Sequence, residues 1–381
     1  MAGLNVLVLP TWYATPVHPI AGVFVRDQAL AVARRERVVV LYNEGSSWRV
    51  RRLFALHDGV EGGLRTLRLR HRPSALPRAS TLLAVVGLDA AMDRLRREGF
   101  APDVIHAHTL GAAAAALVLG RAHGVPVVVS EHWSAFALGT LSPWERRLAR
   151  FVFEHVELVC PVSERLREAI AAHAPRARLR VIGNPVDTTL FVASAPERAS
   201  GPGPVRLLAV GLLAEKKGMS LLLEALARRS AAGGRPVVLD LVGDGPAAAE
   251  LGRHACALEL EDTVRFRGLM ERAEIAQLMG EADLFVLPSL VETFGIALVE
   301  ALAAGLPVVA TDVGVAREIV DDGCGVLVAP NDVDALAAGI DLALTRLGSY
   351  ELSGVAETIR TRFSPEAVAQ QWAETYRMVL A

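Results

Sequence analysis

Short apolar runs alternate with longer amphipathic or Ala-rich stretches along the whole chain. In the first half, the runs at 4–9 (LNVLVL), 37–41 (RVVVL), 65–69, 104–106, 126–130 (PVVVS), 157–160 and 180–182 predict strands, and the stretches 23–35, 79–97, 110–122 and 163–172 predict helices. The second half repeats the scheme, with strands at 205–210 (VRLLAV), 237–241, 264–266, 283–287 (DLFVL), 307–310 and 325–328. Its helices fall at 218–229, 246–257, 271–280, 295–304 and 332–345, and a further helical stretch, 364–380, follows after the strand pattern has stopped. Strands that read as unbroken apolar runs are buried on both faces, which implies parallel sheets covered by helices. Pro, Gly and Ser concentrate in 187–204 (DTTLFVASAPERASGPGP), the best linker in the chain. The expected fold is α/β, with two Rossmann-like domains over 1–190 and 205–363 joined by 191–204. The carboxyl ends of their strands, where open α/β sheets bind ligands, are expected to face a shared cleft.

Composition narrows the class. The 381 residues are 52 % hydrophobic, 22 % charged and 5 % aromatic, so a large aliphatic core is available and wholesale disorder is excluded. The net charge of −2 hides an asymmetry, because residues 1–190 carry +8 and residues 191–381 carry −10. A nucleic-acid binder usually carries a stronger basic excess, so nucleic acid is not an expected partner. Cys160, Cys256 and Cys324 are odd in number and far apart, which fits buried thiols rather than a disulfide framework or metal knuckle. The opening MAGLNVLVLP lacks the basic stretch of a signal peptide, and GAAAAALVLG (111–120) is about half the length of a membrane span. A cytoplasmic location is expected.

Lysine usage singles out the first candidate site. Only Lys216 and Lys217 accompany 38 Arg, and both sit in GLLAEKKG (211–218), after a strand that ends before Gly211 and before a helix. That arrangement aims amides and an ammonium at an anion near a helix start; an ordinary solvated turn is the alternative. The second cluster is PSLVETFGIALVEALAAGLPVVAT (288–311). Gly295 allows a tight turn that brings the amides near Phe294, Gly295 and Ile296 toward a phosphate or sugar. Glu300 suits a vicinal diol, and Glu292 could reach sugar hydroxyls; against this stand a capping and a surface glutamate. The third is HAHTLG (106–111) with SEHW (130–133), in which His106 points one way and His108 sits at the carboxyl end of its strand with His132 nearby. No third ligand of suitable spacing accompanies the HAH pair, so no metal is expected. Gly22 opens a helix with Arg26 one turn in, and Gly243 lies in the glycine turn LVGDGP. Neither half carries GxGxxG after its first strand, which argues against a nicotinamide enzyme, and no isolated lysine is available for a pyridoxal Schiff base.

Together these segments resemble the GT-B glycosyltransferases of family 4, retaining enzymes that use nucleotide-sugar donors. The resemblance spans IAGVFVRDQ, HAHTLG, SEHW, GNPVDTTLF, VGLLAEKKG, VGDGP, RFRGLM and the E-x7-E segment ETFGIALVE followed by GLPVVAT. It implies that Lys217 meets the donor diphosphate, Glu300 the ribose and Glu292 the transferred sugar. It further implies that the backbone near Leu269 meets the base, that His108 lies over the donor sugar, and that the last helix crosses back onto the first domain. Two positions depart from the pattern. Leu212 stands where many relatives have Arg, and Ala21-Gly22 replaces a Gly-Gly pair.

The expected reaction is transfer of a hexose-type unit from a UDP-sugar, or a GDP- or ADP-sugar, to an acceptor hydroxyl. The resemblance implies retention of the α configuration; no cofactor or metal is expected, because no DxD-type carboxylate pair is evident. Two alternatives are a UDP-sugar epimerase and a non-catalytic nucleotide-sugar or glycan-binding protein. The acceptor, whether a small molecule, a glycan or a lipid-linked intermediate, is expected on the first domain, with Arg26 and His132 as acceptor-side candidates. The Arg-rich stretches 49–52, 64–72 and 94–98 suit an acidic acceptor or a peripheral anionic membrane contact, or are simply solvated.

Overall fold

A computed structural model describes residues 3–15, 22–74, 77–192 and 203–381. The chain divides into two compact units, Met1–Pro185 together with Pro365–Ala381, and Val186–Ser364. Residues 186–190, which the sequence reading groups with the first half, and residues 191–192 of its linker therefore belong with the second. Residues 193–202 of the expected linker, and Ala21, lie outside the described residues.

Seven strands are described in the first unit: β1 (Asn5–Pro10), β2 (Arg37–Ser46), β3 (Phe54–Glu61), β4 (Leu64–His71), β5 (Val104–His108), β6 (Val127–Glu131) and β7 (Leu158–Pro161). Their order is β3-β4-β2-β1-β5-β6-β7. Neighbours run parallel except at β3, which pairs antiparallel with β4. Sequence patterning missed β3 because FALHDGVE has no apolar run; it is an edge strand, and edge strands need only one covered face. Gly62 and Gly63 turn the hairpin with φ of 56° and 88°, a backbone that glycine adopts without strain.

The expected strand at 180–182 does not form as such. Its amides at Arg180 and Ile182 donate to Val159 and Pro161 carbonyls beside β7, but the segment then meets Gly183 and Pro185, which cannot extend a ladder. Two longer helices were also missed, besides the short Ser134–Leu138 and Ala316–Ile319. Pro143–Phe153 starts with a Ser142–Glu145 capping box and Pro at its first position. Leu352–Phe363 has a polar, Arg-bearing exposed face that masks its buried Ala356, Ile359 and Phe363.

The second unit carries β8 (Val205–Val210), β9 (Val237–Val242), β10 (Val264–Gly268), β11 (Leu284–Leu287), β12 (Val308–Thr311) and β13 (Gly325–Val328). All pairs are parallel, in the order β10-β9-β8-β11-β12-β13. Numbered from β8, this is the doubly wound order 3-2-1-4-5-6. Its core gathers Leu207, Ala209, Leu222, Leu226, Leu239, Leu241, Val286 and Ile340.

The last helix, Pro365–Leu380, packs on helix Val23–Val32 and inserts Trp372 and Tyr376 into the first unit's core beside Val6, Val8 and Val128. Among the described residues, no helix is long and apolar enough to cross a membrane.

Candidate active site

In a doubly wound sheet, ligands bind at the carboxyl edge where the strand order reverses. In the second unit that point lies between β8 and β11, and the loops leaving these two strands carry the lysine pair and the first glutamate. Lys216 and Lys217 close a one-turn helix, Glu215–Lys217, and Gly218 (φ 63°) then caps helix Met219–Ala231. The two loops are clamped together, because Leu290 N–H donates to Lys216 O at 2.9 Å. A Cβ on Gly218 would lie 2.0 Å from Pro288 O, so only glycine fits there.

Within this clamp Lys217 Nζ donates to Glu292 Oε1 at 2.5 Å, and Ser289 Oγ donates to the same oxygen at 2.9 Å. Thr311 Oγ1 holds Ser289 O at 2.6 Å, linking the end of β12 to the cluster. Lys217 is half-buried, whereas the Lys216 side chain is exposed. The amides of Lys217 and Gly218 are already bonded within the turn, to Ala214 O and Glu215 O at 2.9 Å each. The amides that the sequence reading aims at an anion are thus already engaged at 217 and 218, and the ammonium is the principal donor of this loop.

Gly295 (φ 99°) turns the chain into helix Ile296–Ala303, so the helix start directly follows Glu292 and Phe294. The Phe294 ring is buried edge-on against Phe363, with centroids 5.3 Å apart, and its carbonyl accepts from Val315 N–H. Only backbone at this position can meet a ligand. Glu300 is buried one turn further on, where Arg272 donates to its Oε1 at 2.8 Å. Arg272 lies 5.8 Å over the Phe191 ring. Sequence reading missed Arg272 and Ser289; the only available signal was that Ser289 follows a strand's carboxyl end. Gly211 and Gly243 are pressed together, since a Cβ on Gly243 (φ 139°) would fall 1.8 Å from Gly211 O. Gly243 N–H donates to Gly268 O at 2.8 Å, and the adjacent Leu269 is 64 % exposed.

In the first unit the order reverses between β1 and β5. Thr11 follows β1 and joins β5, donating through Oγ1 to His108 O at 3.0 Å and accepting from Thr109 Oγ1 at 2.8 Å. His106 and His108 were expected to point apart. Their rings instead stack with centroids 4.5 Å apart, because residues two apart on a strand share a face. His108 is fully buried; its Nδ1 lies 3.4 Å from His132 Nε2, and its Nε2 has no partner among the described residues. His132 lies between His108 and Phe24.

His106 belongs to a buried network. Ser130 donates to Gln28 Oε1, so Ser130 accepts from His106 Nε2–H, and His106 Nδ1 accepts from the Tyr376 hydroxyl, each link 2.8 Å long. Burial, with a smaller contribution from His132, lowers His106 to about 3. Burial lowers His132 to about 3 and His108 well below the ordinary value. All three rings are neutral. Burial pushes the Glu131 carboxyl up to about 7, opposed by the Trp133, His132 and Leu110 N–H groups that it accepts from. No group of three or more His, Cys, Asp or Glu among the described residues is placed to hold a metal ion. Gly22 (φ 67°) is held against Trp12, whose carbonyl would lie 2.2 Å from a Cβ there. Arg26 sits beside the Gly62 turn of the β3–β4 hairpin.

Comparison with known proteins accords with this arrangement. Residues 21–190 match the family model described as Glycosyltransferase Family 4, and residues 194–351 match the one described as Glycosyl transferases group 1. Glycogen synthase of Mycobacterium tuberculosis is 30 % identical over 324 residues, covering 82 % of this chain and 74 % of that protein. Sucrose-phosphate synthase from Thermosynechococcus elongatus has the same fold, with a TM-score of 0.79 at 22 % identity over 98 % of this chain and 99 % of that one. Anabaena HepE in complex with UDP and glucose does too, with a TM-score of 0.76 at 22 % identity over 98 % and 100 %. The chain belongs to the GT-B glycosyltransferases of the family 4 type and is a glycosyltransferase.

Proposed function

We propose that this enzyme moves a hexose-type sugar from a UDP-sugar to an acceptor hydroxyl, with retention and without a metal. One observation carries the reading. The half-buried Lys217 ammonium and the Glu292 carboxylate meet at the switch point of the second unit, immediately before a glycine-led helix start. HepE, whose structure holds UDP and glucose, supports the choice of base.

On donor binding, Lys217 exchanges the carboxylate for the diphosphate, with Lys216 adding charge from the exposed side of the loop. Glu292 turns to the hydroxyls of the transferred sugar, and Glu300, the second glutamate of E-x7-E, takes the ribose diol. The backbone at Phe294, Gly295 and Ile296 faces the sugar and phosphates, Gly211 and Gly243 let backbone come close, and Leu269 covers the base. By resemblance to the family His108 serves the donor sugar; its ring is neutral, and its buried Nε2 has no partner among the described residues. Gly22 shapes the loop ahead of it, and His132 and Arg26 lie on the acceptor side.

The bond from the anomeric carbon to diphosphate oxygen breaks, and the acceptor oxygen bonds to the same face of that carbon. The acceptor proton passes to the departing phosphate oxygen. Negative charge grows on the diphosphate as the bond stretches, so Lys217 stabilises the transition state more than the ground state. The test is a panel of UDP-, GDP- and ADP-sugars assayed for nucleoside diphosphate release with and without candidate acceptors. A UDP-sugar should be consumed and yield an α-glycoside. A product of inverted configuration, or epimerised donor with no acceptor present, would overturn the reading.

A further inference from the structure

β2 and β4 are parallel neighbours, with Ser46 opposite His71, and β3 begins at Phe54, also opposite His71. The connecting loop, SWRVRRL (47–53), therefore projects from the carboxyl edge of the first unit's sheet, the edge at which such sheets bind ligands. The loop is held at both ends: Ser47 N–H donates to His71 O, Arg72 N–H donates to Leu53 O, and Val50 is buried beneath it. Above this anchor opens a cavity of about 560 Å³ whose wall includes Arg49, Arg51, Arg52, Arg70 and Phe54.

The charges around this loop do not balance. Each nearby acid is already occupied: Glu44 by Arg68 and Arg70, Asp58 by Arg65 and Arg94, Glu61 by Arg68, and Glu98 by Arg65 and Arg94. Among the described residues, Arg49, Arg51 and Arg52 have no acidic partner. Guanidinium groups stay charged at any working pH, and several on one concave wall concentrate a positive field that an anion would relieve. Their planar forks suit the oxygens of a phosphate. Trp48, 81 % exposed, and Leu53, 61 % exposed, flank the arginines with apolar surface.

We propose that this pocket binds the phosphate ester of the acceptor substrate, an inference that rests on the transferase reading above. The cavity exceeds the volume of a phosphate alone, so it admits the ester together with part of the group that bears it. A lipid headgroup and a free phosphate ester share this chemistry, and the experiment separates them.

The full chain with Lys217→Ala serves as background, so that phosphate held at the second unit's lysine does not contribute. It is compared with the same chain carrying Arg49→Ala, Arg51→Ala and Arg52→Ala, and with one carrying Arg49→Lys, Arg51→Lys and Arg52→Lys. Probes are glycerol 3-phosphate, read by calorimetry and Trp48 emission, and phosphatidylcholine vesicles with or without phosphatidylglycerol, read by flotation. The background chain should bind at least one phosphate probe. The alanine triple should bind about tenfold more weakly or worse, and the lysine triple, which keeps the charge but not the planar forks, should fall between it and the background chain. Binding of glycerol 3-phosphate assigns a free ester, and binding of phosphatidylglycerol vesicles alone assigns a headgroup. Equal binding by all three chains, or binding to neither probe, overturns the proposal. UDP binding is followed on the chain with native Lys217 and on its alanine triple. Failure of UDP to bind there removes the donor reading, whereas UDP binding with no phosphate response from the background chain removes only the pocket.

Discussion

Lys217 Nζ and Glu292 Oε1 form an ion pair 75 positions apart in sequence, at the ends of loops leaving β8 and β11. The pair exists because the strand order brings those two loops together and because Gly218 lets them touch through Pro288 O. Lys217→Ala should leave the fold intact and lower kcat for donor turnover by about 10²–10³-fold, the cost of one preorganised donor to developing charge. Initial-rate kinetics check this, and a variant with unchanged kcat would remove Lys217 from the chemistry.

Acid should weaken the first unit. His106 and His132 titrate at about 3 in the fold, and His108 is also well below its ordinary value, against about 6.5 for an unfolded histidine. Between those values the unfolded chain binds more protons, so stability falls as pH falls, by up to about 1.4 kcal/mol per pH unit per histidine. Glu131, raised to about 7, acts oppositely: its contribution is lost as pH rises from about 4.5 through 7. Three groups outweigh one below pH 6.5. All five tryptophans, Trp12, Trp48, Trp133, Trp144 and Trp372, lie in the first unit, so their emission reports it alone. Urea midpoints by fluorescence should be lower at pH 5 than at pH 7; the reverse order would contradict the neutral-histidine assignment.

Tyr376→Phe tests the anchor of the last helix. It removes the hydroxyl that His106 Nδ1 accepts from and leaves a buried nitrogen unpaired, a loss of about 1–3 kcal/mol. Trp372, whose ring centroid lies 4.1 Å from that of His106, makes the change visible in fluorescence-monitored denaturation. An unchanged midpoint would mean that the network contributes nothing to holding the helix.

Two glycines of the second unit should respond in opposite directions. Gly218→Ala places a methyl 2.0 Å from Pro288 O in a left-handed backbone and should cost about 3 kcal/mol or more. Gly252 lies inside helix Ala248–Ala257 with nothing within 4 Å of an added Cβ, so Gly252→Ala should gain about 0.5–1 kcal/mol. Far-UV circular dichroism melts read both, because the second unit has no tryptophan of its own. Similar melts for the two variants would contradict the clamp.

The parallel strands were legible because burial on both faces writes an unbroken apolar run. Lys217 was legible because the chain's two lysines share the loop after one such run, and Glu292 because its glycine-turned loop follows another. β3 was not, since an exposed edge strand reads as mixed polarity. Nor was the neutralisation of Glu300 by Arg272, which depends on where a capping turn sets a helix start across the sheet. The His106–Tyr376 bond joins residues 270 positions apart, and no local pattern announces it. His106 and His108 were misjudged against the simplest rule available, that alternate strand residues share a face.

The most direct test is calorimetric titration of UDP, GDP and ADP into the native chain, Lys217→Ala and Glu300→Gln. The account predicts that UDP binds the native chain and that each substitution weakens it about tenfold or more. Equal affinity in all three chains, or no nucleotide binding to the native one, would mean that the switch-point edge of the second unit does not hold the donor.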